Sequence, residues 1–217
     1  MTASPVSPVS PATLADRPAE RHRLIAATFT DRVLGTRDWD VPTPVAGWAA
    51  RDVVDHLCTW FAGFVEGSGG PALRRGPAVS EDPAGAWQVH TEAVQRLLDD
   101  PATAALVLHN PHMGDLPLAA ATDMIYTSDV FMHTWDLARA TGQDDRLDAD
   151  HCAQLVGGME QMEDVIRGSG QYGPRVAVPD DADAQTRLLG FIGRDPSWPA
   201  HPSWPAHPSW PAGGTGR

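Results

Sequence analysis

The 217-residue chain contains no lysine; all sixteen basic side chains are arginine. Chemistry that needs a lysine Schiff base or a phosphate-loop lysine is therefore excluded. Cysteine is nearly absent too. Cys58 and Cys152 are too few for a disulfide scaffold, and neither sits in a CxxC pair that would suggest a cysteine-rich zinc site. The start, MTASPVSPVSPATLAD, has neither a basic region nor an apolar core of the secretory kind, and no apolar run approaches the roughly 18 residues of a membrane span. Positive charge is scarce: sixteen basic against 28 acidic side chains give a net charge of −12. Such a chain has no basic face with which to neutralise phosphates, so nucleic acid and anionic membranes are not expected partners. The expected setting is a soluble cytoplasmic protein.

What is present is enough for one folded domain. The apolar fraction is 42%, lowered by 20 glycines and 20 prolines that gather at the ends and in loops. Residues 1–12 are rich in proline and serine and are expected to be disordered. At the other end DPSWPA is followed by two copies of HPSWPA, so 199–217 reads as an appended Pro/Trp/His repeat, and His201 and His207 are not taken as ligands. Between these tails, 13–198 reads as the domain, and its dominant period is helical. Leu14, Ile25, Phe29, Val33 and Leu34 mark a first helix stopped by Gly35. Val53, Val54, Leu57, Trp60, Phe61 and Phe64 mark a second, ending at Gly67. A third runs from about Asp82 to Leu98. Residues 105–118 suggest a short extended piece and a turn. A long helix over 119–141 carries Met124, Ile125, Phe131, Met132, Trp135 and Leu137; another covers about 148–167; and 187–192 forms a short helix or strap. The fold class is all-α, an up-down four-helix bundle with short extra helices or a strand.

Three polar residues fall where they need explaining. His56 lies beside the apolar stripe of the second helix, where both ring nitrogens require partners. Asp129 and His133 are four apart, which places their Cβ atoms about 5–6 Å from each other on one helix face. A carboxylate and an imidazole in that relation, with a second imidazole from a facing helix, can hold a divalent ion such as zinc and leave a position for another molecule. The same spacing also occurs on solvated helix faces, and a histidine beside a core can be purely structural, so both readings stand on spacing alone. In the loop HNPHMGD, His109, His112 and Asp115 could bind a second metal, act as acid–base groups or contact substrate; a solvated loop fits equally. Cys58, two residues after His56, should face away from such a site. Trp48 and Asp52, at the start of the second helix, read as architectural, and Asp136 as a group that orients a polar neighbour or caps.

The stretch TPVAGWAARDVVDHL (43–57) resembles a "TP-x-x-GW-x-x-x-D-V-x-x-H-L" signature, and SDVFMHTWDLARATGQ (128–143) resembles "D-x-x-x-H-x-WDLA-x-ATG". Both are signatures of the DinB-like, mycothiol-dependent maleylpyruvate isomerase N-terminal family of actinobacteria. RLLGFIGRDPSW (187–198) is similar to the closing motif of one uncharacterised subgroup. The resemblance implies a DinB-like four-helix bundle holding a divalent metal, usually zinc, with nickel, iron or manganese as alternatives. Carried over position by position, the ligands are His56, Asp129 and His133. The isomerase is expected to have Glu where Asp129 stands, so the shorter side chain alters the metal geometry. The implied activity is a metal-dependent transferase or isomerase that activates a thiol such as mycothiol toward a small electrophilic metabolite, with His112 or Arg139 as candidates for meeting the substrate. The alternatives are a thiol-independent lyase, hydrolase or cyclase, and a non-catalytic metal- or ligand-binding protein. A small-molecule substrate and a homodimer are the partners to expect.

Overall fold

Aspartate and proline set the starts of the helices. In the computed structural model, which describes residues 17–111, 114–168 and 170–200, α1 (Pro18–Gly35) and α3 (Pro83–Asp99) both begin on proline, whose missing N–H costs nothing in a first turn. Asp82 accepts the Gly85 N–H at 2.9 Å, Asp148 the His151 N–H at 2.7 Å, and Asp183 the Thr186 N–H at 2.7 Å. These carboxylates cap α3, α7 (Ala149–Glu160) and α9 (Ala184–Phe191). Helix α2 (Ala50–Gly67) starts differently: the Asp52 carboxylate reaches back to the Ala49 N–H at 2.7 Å.

Short α4 (Pro101–Ala104) leads into an antiparallel hairpin, β1 (Val107–Asn110) with β2 (Gly114–Pro117), in the register His109 to Asp115. After the hairpin comes one long helical rod. It opens as α5 (Leu118–Ala121), widens into a π-helical turn over Thr122–Thr127, and continues as α6 (Ser128–Thr141). Gly142, in the left-handed conformation at φ 67°, ends it. The next residue ties the bundle together: Gln143 donates to the Arg32 carbonyl at 2.7 Å, near the C-terminus of α1. Gly35 leaves the room this needs, since a Cβ there would lie 2.1 Å from the Gln143 Oε1.

Helices α1 and α2 each pack against α3 and α6, so the four long rods form a ring in which α1 and α2 face each other across the diagonal. Phe29, Val53, Val54, Leu57, Phe61, Val94, Tyr126, Val130 and Leu137 fill the interior and are fully buried. Helix α7 packs on α9, which seals one side of the bundle with Leu188, Leu189 and Phe191. The all-α expectation and its main helices therefore match the structure. Three details differ. Leu34 is 72% exposed and Met124 50%, so neither belongs to the core. Met124 sits inside the π turn, where the wider winding rotates it off the buried face. The helix expected over 148–167 breaks after Glu160 and resumes as α8 (Glu163–Gly168), just beyond the helix-weakening pair Gly157–Gly158. The expected tails at 1–12 and 199–217 fall outside the described residues, apart from 199 and 200. No described helix is long and apolar enough to cross a membrane.

Candidate metal centre

The first part of the site is a turn. Thr43 N–H donates to the Trp48 carbonyl at 2.9 Å, Trp48 N–H to the Val45 carbonyl at 3.0 Å, and Gly47 sits at φ 80°, where a side chain would be strained. This TPVAGW turn hangs the Trp48 indole over the next helix. Its ring centroid is 5.0 Å from that of His56 and 5.7 Å from that of His133, nearly parallel to the latter at 19°. Trp48 is thus a wall of the site as well as part of the architecture expected for it.

His56 and Trp60, one turn apart on α2, face Asp129 and His133, one turn apart on α6. His56 Nε2 lies 2.9 Å from Asp129 Oδ2, and Trp60 Nε1–H donates to the same oxygen at 2.9 Å. The other oxygen, Oδ1, lies 3.4 Å from His133 Nε2. One donor atom from each of His56, Asp129 and His133 falls within 4.8 Å of the other two, the one such group of His, Cys, Asp and Glu among the described residues. The structure therefore brings together the three side chains singled out in the sequence.

Each partner has a defined state. Burial raises the Asp129 carboxyl, but His133, His56 and the Trp60 N–H outweigh it, leaving the group below its ordinary range and ionised. Burial lowers the His133 imidazole, and the Asp129 and Asp136 carboxylates outweigh it, leaving it above its ordinary value. His133 Nδ1 is 2.8 Å from Asp136 Oδ2, and fully buried Asp136 in turn receives Arg194 Nε at 2.8 Å and Nη2 at 3.0 Å. Asp136 thus orients a neighbour, as its place in WDLA suggested; its arginine partner lies 58 residues further on and has no local signal. Tyr172 lies close enough to feel both Asp129 and Arg194, and burial pushes its phenol up to about 12.

These residues fit a divalent ion of the zinc type. Two imidazole nitrogens and a carboxylate are a donor set such ions accept, and bonds of 2.0–2.2 Å imply edges of roughly 3.3–3.6 Å between ligand atoms in a tetrahedron. The 3.4 Å from His133 Nε2 to Asp129 Oδ1 falls in that range, the 2.9 Å from His56 Nε2 to Oδ2 is the shorter spacing of a hydrogen bond, and one atom from each of the three lies within 4.8 Å of the others. His133 also shows the pattern of a metal-ligating imidazole, with its outer nitrogen held by a carboxylate so that the inner one is aimed.

The other candidates lie elsewhere. The Arg139 guanidinium donates to the Asp145 carboxylate at 2.7 Å and to the carbonyls of Trp198 at 2.7 Å and Pro196 at 3.3 Å, and lies over the Trp135 ring. It pins the terminal segment instead of facing the triad, so the substrate-facing role expected of it is not what its contacts serve. His109 and Asp115 form a cross-strand pair at 2.9 Å, each 68% exposed, on a hairpin held to the far end of α2 through the Ser68 carbonyl. That anchor is twelve residues past His56, about 18 Å along the helix. His112 lies outside the described residues. Cys58 does face away: it lines a separate cavity with Asp55, Thr59 and His90, and burial pushes its thiol up to about 12.

Comparison with known proteins agrees with this architecture. The model of the mycothiol maleylpyruvate isomerase N-terminal domain matches residues 19–138. Two uncharacterized proteins of Mycobacterium tuberculosis, one from strain CDC 1551 / Oshkosh and one from strain ATCC 25618 / H37Rv, are each 26% identical over 162 residues, covering 70% of this chain and 83% of theirs. No solved structure matches. With more than half of its length matched, and with the DinB-like all-α bundle expected of such proteins, the chain belongs to the mycothiol maleylpyruvate isomerase N-terminal domain family.

Proposed function

We propose that this protein is a metal-dependent enzyme that activates a low-molecular-weight thiol, mycothiol or a close equivalent, for transfer to or isomerisation of a small electrophilic metabolite. The observation that carries this reading is the convergence of His56, Asp129 and His133 from two facing helices, with the outer nitrogen of His133 held by buried Asp136. Zinc is the first choice of ion from the nitrogen and oxygen donor set. A divalent cation seated there supplies the Lewis acidity that lowers the pKa of a thiol presented to it.

The chain's own residues do the rest. Trp60 N–H and His56 hold one Asp129 oxygen while the other faces His133, so the carboxylate is fixed between the two imidazoles. Trp48 and Trp60 flank His56 with aromatic surface, which keeps water from that side and offers an apolar wall to the bound molecules. Neither cysteine is placed as a nucleophile: Cys58 lines a separate cavity, and burial pushes both thiols up to about 12, which disfavours the thiolate. In this reading the thiol of the reaction comes from a co-substrate.

The test is a coupled one. Metal-stripped protein, reloaded with zinc, nickel, iron or manganese in turn, is offered mycothiol and a panel of small electrophiles that includes maleylpyruvate. Turnover should require both metal and thiol and should fall at least 100-fold without either. Turnover that needs metal but ignores the thiol would replace this reading with a lyase, hydrolase or cyclase. Stoichiometric metal without any turnover of the panel would favour a binding protein.

A further inference from the structure

The family model ends at residue 138, but the cation that meets Asp136, the carboxylate behind His133, comes from residue 194. We infer that Arg194 is a positioning residue for the metal site, acting on His133 through Asp136. This inference rests on the reading of His56, Asp129 and His133 as ligands.

The geometry that delivers Arg194 is specific. Helix α9 ends with Gly193 in the left-handed conformation at φ 83°; the Gly193 N–H bonds to the Gly190 carbonyl at 3.3 Å and the Arg194 N–H to the Leu189 carbonyl at 2.8 Å. That pair of bonds is a Schellman cap, which fixes the direction in which the next residue leaves the helix. A Cβ on Gly193 would crowd the Pro174 carbonyl oxygen at 3.0 Å and the Gly173 backbone at 3.1 Å, and at φ 83° any side chain is strained, so the turn favours glycine. The cap points Arg194 at α6, where its planar fork takes both oxygens of Asp136.

The fork matters because Asp136 is fully buried. A buried carboxylate without a cation beside it is strongly disfavoured, and the imidazole alone can satisfy only one of its oxygens. With Arg194 in place, Asp136 Oδ2 is shared between Arg194 Nη2 at 3.0 Å and His133 Nδ1 at 2.8 Å, and the His133 ring is held with Nε2 toward Asp129. A lysine could restore the charge but not the two-point grip. The motif GRDPSW is thereby accounted for: glycine caps, arginine orients, and the Trp198 carbonyl receives Arg139.

Cobalt is the probe, because its visible absorption reports ligand geometry as well as occupancy. Arg194→Gln should bind cobalt 10- to 100-fold more weakly than the parent and with a shifted absorption spectrum, while circular dichroism stays unchanged. Asp136→Asn should do the same. The double variant Asp136→Asn/Arg194→Gln, which leaves no lone charge in the interior and so keeps the fold accessible, should be no worse than either single change, as expected of two residues acting in series. Arg194→Lys should recover stability without recovering the parental spectrum. Parental affinity and spectrum in folded Arg194→Gln, or in the double variant, would overturn the inference. Loss of cobalt in His133→Ala alongside unaffected Arg194→Gln would overturn it while sparing the metal reading; a parent chain that takes up no cobalt would remove both.

Discussion

After zinc loading and exhaustive dialysis, the parent protein should retain one equivalent of metal per chain, and His56→Ala and His133→Ala should each retain none. The size of the effect follows from the ligand count. Structural zinc contributes roughly 10–16 kcal/mol spread over four ligands, so each protein ligand accounts for about 3 kcal/mol, more than a 100-fold change in affinity. Asp129→Asn keeps the shape and an acceptor for Trp60 but loses the negative charge, and should weaken binding by a similar factor. Helical content should survive all three changes. His56 is only half-buried, and His133 is the one ligand whose removal strands another group, Asp136, which keeps its arginine. Elemental analysis beside far-ultraviolet circular dichroism decides the matter: unchanged metal content in both histidine variants would remove the site.

The second large effect is on stability at mildly acidic pH, and it arises away from the metal centre. His22 on α1 and His90 on α3 are both buried against Tyr126, each with its ring centroid 5.6 Å from that of the tyrosine. Burial pushes both imidazoles down to about 4; His22 is lowered further by His90 and Arg23. The folded protein therefore refuses protons that the unfolded chain accepts near 6.5, and between those values the unfolded state binds more protons. The stability that these two neutral imidazoles contribute is present above about pH 6.5 and is lost as pH falls toward 4. At pH 5 the loss should be roughly 2 kcal/mol for each histidine. Urea unfolding at pH 7 and pH 5 measures it. Replacing both residues with glutamine should flatten the difference; an equally steep loss in that double variant would place the titrating groups elsewhere.

Much of this arrangement could be read from local pattern. The long helices announce themselves through three- and four-residue apolar spacing, and their starts through Asp–Pro or a capping aspartate. The i, i+4 relation of Asp129 and His133 and the place of His56 beside an apolar stripe mark these residues as candidates, but spacing alone fits a solvated or structural role as well. It is the resemblance of the 43–57 and 128–143 motifs that joins the three into one ligand set. What local pattern could not carry is anything assembled across the chain. Trp48 looked architectural because its turn is local, while the two imidazoles it covers are 8 and 85 residues away. Arg194 carries no local signal of its coupling to Asp136, because the contact is made only where the segment after α9 returns to α6. Arg139 misled for the opposite reason: a cation near the ligands in sequence projects from another side of the helix and meets Asp145 and the terminal segment. Met124 shows that a helical period drawn through a π turn places a side chain on a face the wider winding has left, whereas Leu34, nine residues from Ile25 in regular α1, lies on the face opposite the buried stripe.

The π turn over Thr122–Thr127 has a consequence for how relatives should be lined up. Winding of this kind accommodates one residue more than a regular helix of the same span, so a homologue without it would superpose on both flanks yet be one position shorter between 122 and 127. An ungapped alignment through that stretch would slide the carboxylate and imidazole of the downstream segment out of correspondence by a single place, and a true Asp-x-x-x-His match would then be scored as an unrelated pair.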